Sequence, residues 1–554
     1  MNRLSSLAAD VQDELAALLG GLSQATRLLR LHLAPGTLAA GLSLTAERLH
    51  AIEALCPDDA PDAPSGFRLT LTAVSPQDDL DLAALLGQPA RVDLLLADHA
   101  LRPFHGRVTA ATRLGSDAGP RGGGLTRYQL VIEPWLALLA QRHDAFVFQD
   151  QTVPQILESV FGDYTDSLGA AWRFDLADAA AYPRRSLCVQ HEQSDLDFVL
   201  RLLREEGLFA WFEHTRTDDT TLGRHTLVIA DHNGAFSASP QPVVRYTQAG
   251  PTLAADALQR FTRRAALAPS RVALASYDYR TLGQRPASAE STPPAGLQAD
   301  LAWRDQPGLY GWEDAAQAQR LARRQLDALQ SRAARSQAAG TVRAFAPGSW
   351  FTLADHSSNA LEALATAAST ASGAPDTRYA ILRVEHRARN NLGADAIAGN
   401  LSDQAGNASA EPLYVNQATV QPLAVPVRAA QADAAGPSAS LGVQTALVVG
   451  LGEPLHTDRD HRIKVQFHWQ RGAGSSSRLD HPSQANAPAD ASAGTWVRVA
   501  VPLAGPNWGA NFTPRVGQEV LIDFIEGDIE RPIVIGSVYN GAGAGNAQGN
   551  DVAS

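Results

Sequence analysis

Ile463-Lys464-Val465-Gln466-Phe467-His468-Trp469 is the stretch on which the fold turns. Every odd position is apolar and every even one polar, so the segment reads as a strand with one buried face. On either side, Val443 to Leu451, Thr495 to Val501, Gln518 to Ile525 and Pro532 to Tyr539 are further apolar runs bounded by turn residues. Five strands within residues 441–541, interrupted by a Gly/Ser/Pro/Ala-rich loop at 471–494, predict a five-stranded barrel of the OB type. OB barrels often hold oligonucleotides. Here Arg498, Arg515 and Arg531 stand against Glu519, Asp523, Glu526, Asp528 and Glu530, and an anionic barrel repels phosphate. No nucleic acid is expected as a partner, and Trp469, Trp496, Trp508 and Phe512 are expected to pack in or against the barrel.

Upstream, residues 401–440 are rich in Ala, Gly, Asn, Ser and Gln and read as a linker. Residues 26–400 mix β and helical patterns. From about 26 to 135, Leu69-Thr70-Leu71-Thr72 alternates, and Arg91 to Leu96 and Tyr128 to Ile132 are short apolar strands. A helical part follows over about 136–215. Thr152 and Gln155 have capping-box spacing ahead of Ile156, Leu157, Val160 and Phe161. The sharper helix runs from Ser194 to Glu206. Ser194 caps it, Asp197 answers three positions on, and Leu196, Val199, Leu200 and Leu203 form the stripe before Gly207. Strands return at Leu208 to Phe212 and Thr226 to Ala230, then over 216–400 at Val272 to Tyr279 and Tyr379 to His386, with a long helix near 313–335. β-rich segments on both sides of the helices suggest a duplicated β module. At the start of the chain, Leu4, Leu7, Val11, Leu15, Leu18 and Leu22 form one apolar stripe, so residues 1–25 read as an amphipathic helix docked on the domain behind it.

Composition removes several chemistries. Of 46 basic residues only Lys464 is a lysine, and it lies between Ile463 and Val465, so there is no P-loop. The net charge of −12 also argues against a nucleic-acid protein. Cys56 and Cys188 form no C-x-x-C and read as buried apolar side chains. Asp10, Asp13 and Glu14 would interrupt the apolar region of a signal peptide, and no uncharged run can span a bilayer, so synthesis in the cytoplasm is expected.

Catalytic constellations are also missing from the sequence. His456, Asp458, Asp460 and His461 make the best metal-like group, but Arg459 and Arg462 lie within it and a hydrated turn is the simpler reading. His191-Glu192 is not H-E-x-x-H, because Asp195 occupies the second histidine's place. Glu205-Glu206 reads as a solvated pair at a helix end. No cofactor, metal or catalytic residue is expected.

Arg531-Pro532-Ile533-Val534-Ile535-Gly536-Ser537-Val538-Tyr539-Asn540 is where a resemblance becomes specific. With Trp496-Val497-Arg498-Val499, Gly505-Pro506-Asn507-Trp508-Gly509, Pro514-Arg515-Val516-Gly517-Gln518-Glu519-Val520 and the Lys464–Phe467–Trp469 strand, it resembles the VgrG tip proteins of type VI secretion systems. Two upstream blocks agree. One is Glu133-Pro134-Trp135 to Phe161, with Phe148; the other is Ser194-Asp195-Leu196-Asp197-Phe198 through Gly207 to Trp211-Phe212. The resemblance implies a mainly β fold with α insertions: two related hub-type β barrels, then the OB barrel at the base of a spike. It implies a homotrimer whose six barrels match a hexameric tail-tube protein. Baseplate proteins, effectors or adaptor proteins, a spike-tip cap and a target membrane met on contraction are the other implied partners.

Members of that family usually continue past the OB barrel into a β-helical needle, whereas residues 542–554 read as a flexible Gly/Ala/Asn-rich tail. This sequence is then either a shortened form or a member whose needle lies elsewhere, and enzyme activities of C-terminally extended members are not implied. The neighbouring reading is the hub of a phage tail or of an extracellular contractile particle. A cell-wall hydrolase would need a compact extra domain, which the gaps at 401–440 and 471–494 are too short to hold.

Overall fold

A computed structural model describes residues 24, 27–38, 43–116, 125–215, 222–247, 255–292, 301–309, 311–357, 377–390, 392, 412–429, 442–470, 490–492, 494–506 and 508–539. The expected N-terminal helix, the tail at 542–554 and Asn540 lie outside them.

Six strands open the fold: β1 (Leu29–Leu33), β2 (Thr45–Ala54), β3 (Phe67–Ser75), β4 (Pro89–Leu95), β5 (Leu101–Ser116) and β6 (Thr126–Glu133). They pair antiparallel in the order β1-β4-β5-β6-β3-β2. The period-2 pattern puts Phe67, Leu69, Leu71 and Ala73 of β3 inside, while Arg68 faces water and Thr70 and Thr72 are half-buried. Among the described residues no ladder joins β1 to β2; two side-chain amides stitch that seam instead. Asn390 Nδ2 donates to Leu29 O (2.8 Å) and Ala46 O (2.7 Å), and its Oδ1 accepts from Leu29 N (2.8 Å). Gln24 Oε1 accepts from Leu31 N (2.8 Å) and Ala46 N (3.3 Å).

A middle layer follows, with β7 (His143–Phe148), α1 (Val153–Gly162), β8 (Trp172–Asp175), β9 (Cys188–Ser194), α2 (Asp195–Glu206), β10 (Phe209–Thr215) and β11 (Arg224–Ala230). The capping box at Thr152 and Gln155 forms as its spacing predicts. Ser194 Oγ accepts from Asp197 N at 3.0 Å to start α2, and Gly207 at φ +64° ends it. The buried stripe of α2 is centred on Phe198, Val199, Leu202 and Leu203, shifted from the expected one because Leu196 and Leu200 lie at its edge.

Next come β12 (Ser237–Arg245), β13 (Leu258–Thr262), an inserted sheet of β14 (Arg271–Asp278), β15 (Gly283–Glu290) and β16 (Ala302–Asp305) with α3 (Ala315–Ala333) against it, then β17 (Ser336–Gly340), β18 (Ser349–Ala354), β19 (Arg378–Arg389) and β20 (Tyr414–Pro422). Leaving out the insertion, the order is β12-β18-β19-β20-β17-β13. Counted from one to six along each half, both barrels trace the same path, 1-4-5-6-3-2. They differ in one strand: β12 runs parallel to β18, whereas β1 is antiparallel to β4. A parallel bridge, Tyr246↔Leu258, closes the second ring. The two barrels share a β2–β19 ladder.

β20 corrects the linker reading. Tyr414, Asn416, Ala418 and Val420 are buried at period 2, between β19 and β17. Finally β21 (Gln444–Val449), β22 (Ile463–Phe467), β23 (Thr495–Val499), β26 (Glu519–Phe524) and β27 (Pro532–Val538) close the expected five-stranded barrel, with a small β24 (Leu503–Gly505) and β25 (Trp508–Ala510) hairpin outside it.

Candidate functional site

Among the described residues no three His, Cys, Asp or Glu side chains gather to hold a metal ion, and no helix is long and apolar enough to cross a membrane. Buried polar groups converge instead at three joints between the structural units.

The first joint ties the OB barrel to the middle layer. Glu530 Oε1, from the turn before β27, accepts from Val189 N on β9 (3.0 Å) and from Arg201 Nη1 on α2 (3.1 Å). Arg201 also binds Glu205 (2.8 Å) and Val189 O (2.7 Å). Arg185 bridges Glu205 (2.5 Å) and Glu206 (2.9 Å), and Arg324 of α3 reaches Glu206 at 2.6 Å. Burial alone would raise the Glu206 carboxyl, but Arg185 and Arg324 outweigh it and hold it at about 2. Burial, then the Glu530 charge, pushes Asp528 up to about 6. Apolar contacts continue across: Val147, Leu187 and Val189 share one core with Val465, Phe467 and Val520. Glu205 and Glu206 are therefore not the solvated pair the sequence suggested; their partners come from distant elements.

The second joint welds the two barrels. Glu53 on β2 receives Arg102 Nη2 (2.5 Å) and pairs with His386 Nε2 on β19 (3.0 Å), whose Nδ1 meets Tyr414 Oη (2.6 Å). Burial opposes ionisation of Glu53, yet Arg102 and His386 keep it at about 2.

The third joint sets the first barrel on the middle layer through His105 (β5), His214 (β10) and His225 (β11). Trp135 N–H donates to His225 Nε2 (3.0 Å) and His105 N–H to His214 Nδ1 (3.1 Å). Both acceptors must therefore be lone pairs. The His225 proton then sits on Nδ1, facing His105 Nδ1 at 2.8 Å, which must accept it. Geometry alone demands neutral rings. Burial, with help from Arg107 and Arg91 at His105, pushes His105 down to about 4; burial likewise holds His214 at about 4 and His225 well below its ordinary value.

The sequence-predicted residues distribute as follows. Trp135 and Phe148 are wholly buried, Phe148 stacks on Phe198, Pro134 precedes the short Trp135–Leu138 helix, and Trp211 packs on Gly348. Trp469 bridges units: it stacks on Phe467, donates Nε1–H to Gln444 (2.8 Å) and meets His191 of β9. Lys464 Nζ donates to Ala491 O (2.8 Å) and lies over the half-buried Trp496. Pro514 is buried, Gly517 turns at φ +87°, and Glu519 and Gly536 sit on the β26 and β27 ladder. Trp508 and Phe512 correct the packing expectation, at 62% and 75% exposed, because Trp508 lies on the outer hairpin, where its indole folds over Gly505. A Cβ at Gly509 would meet the Leu503 carbonyl oxygen across that hairpin, and Tyr539 is exposed. Asp458 is explained as a turn former, accepting from Asp460 N and Arg462 N. The histidine triad and the Arg201–Glu530 pair escaped sequence reading. Histidines inside strand patterns were the one available signal.

With two barrels of one topology followed by an OB barrel, the chain belongs to the phage tail baseplate hub (GPD) family, whose profile matches residues 64–392. The type VI secretion system/phage-baseplate injector OB domain profile matches residues 483–539. Among curated proteins, the chain is 31% identical over 484 residues to the type VI secretion system spike protein VgrG1b of Pseudomonas aeruginosa, covering 86% of this chain and 56% of that one. It is 26% identical to the actin cross-linking toxin VgrG1 of Vibrio cholerae, of which it spans 38%. The chain thus spans only part of these curated relatives, little more than half of the first and well under half of the second. A solved Escherichia coli type VI secretion component, described as similar to the T4 bacteriophage tail proteins gp27 and gp5, shares the fold at TM-score 0.58 and 18% identity, over 92% of this chain and all of that one.

Proposed function

We propose that this protein is a spike protein of a type VI secretion system, non-enzymatic in the regions described, which joins a threefold spike to a hexameric tail tube. The observation that carries this is the 1-4-5-6-3-2 path traced twice in one chain. Three copies of such a chain present six similar barrels in a ring, so a trimer can close on a sixfold tube. The three buried polar joints support the mechanical half of the reading. A tip driven through a membrane must move as one body, and separating the partners of a buried pair leaves an uncompensated charge away from water, which costs more than parting an exposed pair. Contacts with baseplate proteins, with effectors or adaptors, with a tip cap and with the target membrane belong to the same proposal. Deleting the gene in its own organism should abolish release of the tube protein. If release persists with no second copy of the gene present, the reading is wrong. A phage-tail hub role is favoured by the description of the matching family, and neighbouring genes encoding a capsid rather than secretion components would select it.

A further inference from the structure

A cavity of about 640 Å³ opens where the loop after β2, the end of β13, the outer face of β19–β20 and the C-terminus of α3 meet. Its size lies within the range of small-ligand sites. Five arginines line it, Arg263, Arg264, Arg335, Arg383 and Arg428, against two aspartates, Asp58 and Asp59. Arg383 is satisfied, bound to Asp58 at 2.6 Å and Asp62 at 2.9 Å. Arg335 and Arg428 are not. Arg335 reaches Asp59 only at 3.6 Å, and Arg428 reaches Asp327 only at 3.9 Å. Nε of Arg335, with Nε and Nη1 of Arg428, is buried and meets no acceptor among the described residues.

Buried N–H groups on a cation are costly to leave without an acceptor. Packing several cations around one hollow also raises the potential inside it, which draws in anions. The hollow is larger than a bare anion needs, and Leu55 and Phe209 give it an apolar wall. We propose that this cavity binds an oxyanion, a carboxylate or a phosphate, held by Arg335 and Arg428, with the apolar wall taking up any hydrocarbon attached to it. Arg383 stays with its aspartates and sets the edge of the site. The proposal does not depend on the secretion role.

Calorimetric titration of the full chain tests it with three probes: inorganic phosphate, the dipeptide N-acetyl-Leu-Phe with a free carboxylate, and the same dipeptide as its amide. At least one oxyanion should bind, more weakly as salt rises, and the amide should not. Phosphate binding alone points to a phosphate source, and carboxylate binding alone to a chain terminus or an acidic side chain. Arg428→Gln and Arg335→Gln should each weaken the bound probe about tenfold, the scale of one charge-assisted hydrogen bond. Arg335→Gln changes the more exposed of the two and serves if the other variant does not fold. Equal binding of acid and amide, unchanged affinity in the folded variants, or no heat from any probe would overturn the proposal.

Discussion

Lowering the pH should loosen the joint between the first barrel and the middle layer, and His214→Gln should remove part of that sensitivity. His105 and His214 fall from 6.5 to about 4 in the folded chain. As pH drops below 6.5 the unfolded chain takes up protons that the folded one refuses. Stability is therefore fully present above 6.5 and is lost progressively down to about 4. At 1.36 kcal/mol per unit, each ring costs about 3 kcal/mol across that window. Asp528 acts oppositely in the same range. Raised from 3.8 to about 6, it contributes stability that is complete below 3.8 and lost as pH rises through 6, which offsets about one ring. A variant difference isolates the histidine. A glutamine carbonyl at 214 can still accept the His105 N–H, so the fold should survive. Hydrogen exchange of the β10 and β11 amides, corrected for intrinsic rates, reports the local opening free energy. Whatever His214→Gln costs at pH 7, that cost should shrink by about 3 kcal/mol at pH 4. A cost identical at both pH values would refute the argument from neutral rings.

Three further outcomes follow from the same geometry. Arg201→Ala takes the nearest cation from the half-buried Glu530 and leaves Glu205 with Arg185 alone, so it should cost about 2–3 kcal/mol, less than for a wholly buried pair; differential scanning calorimetry should then show the OB barrel melting ahead of the hub. Gly348→Ala puts a methyl group 2.3 Å from Trp211 Nε1 at a φ of +79°, so thermal unfolding should show a loss of about 3 kcal/mol. Ser194→Ala removes the α2 cap and should cost about 1 kcal/mol by the same measurement, with the Asp197 N–H exchanging faster.

The OB strands were legible because Ile463, Val465 and Phe467 alternate with polar residues over an unbroken run. α2 was legible because its cap and its αL glycine carry local signatures. β20 was not. Its buried face is Tyr414, Asn416, Ala418 and Val420, where an asparagine and an alanine dilute the apolar period, and the flanking sequence is poor in β formers. Asn416 is inside because its amide reaches Val342 O at 2.6 Å, a contact set by tertiary structure alone. Glu205 and Glu206 were misread for the same reason, since Arg185 and Arg324 are brought to them by folding. The histidine triad draws on β5, β10 and β11, so no spacing rule joins its members. Duplication was suggested by β-rich segments on both sides of the helices, but only connectivity supplies the repeated path.

Asn390 stands just beyond the last strand of contact between the barrels, yet it clasps both lips of the open seam in the first. A tensile load that parted β1 from β2 would have to tear this amide away, and its own backbone N–H is held by Glu47. The first ring is thus fastened by a residue that follows its neighbour's strand β19, whereas the second closes on its own Tyr246–Leu258 bridge. The pair behaves as a cuff laced on one side, in which strain on the first rim is carried into β19 before the seam can open.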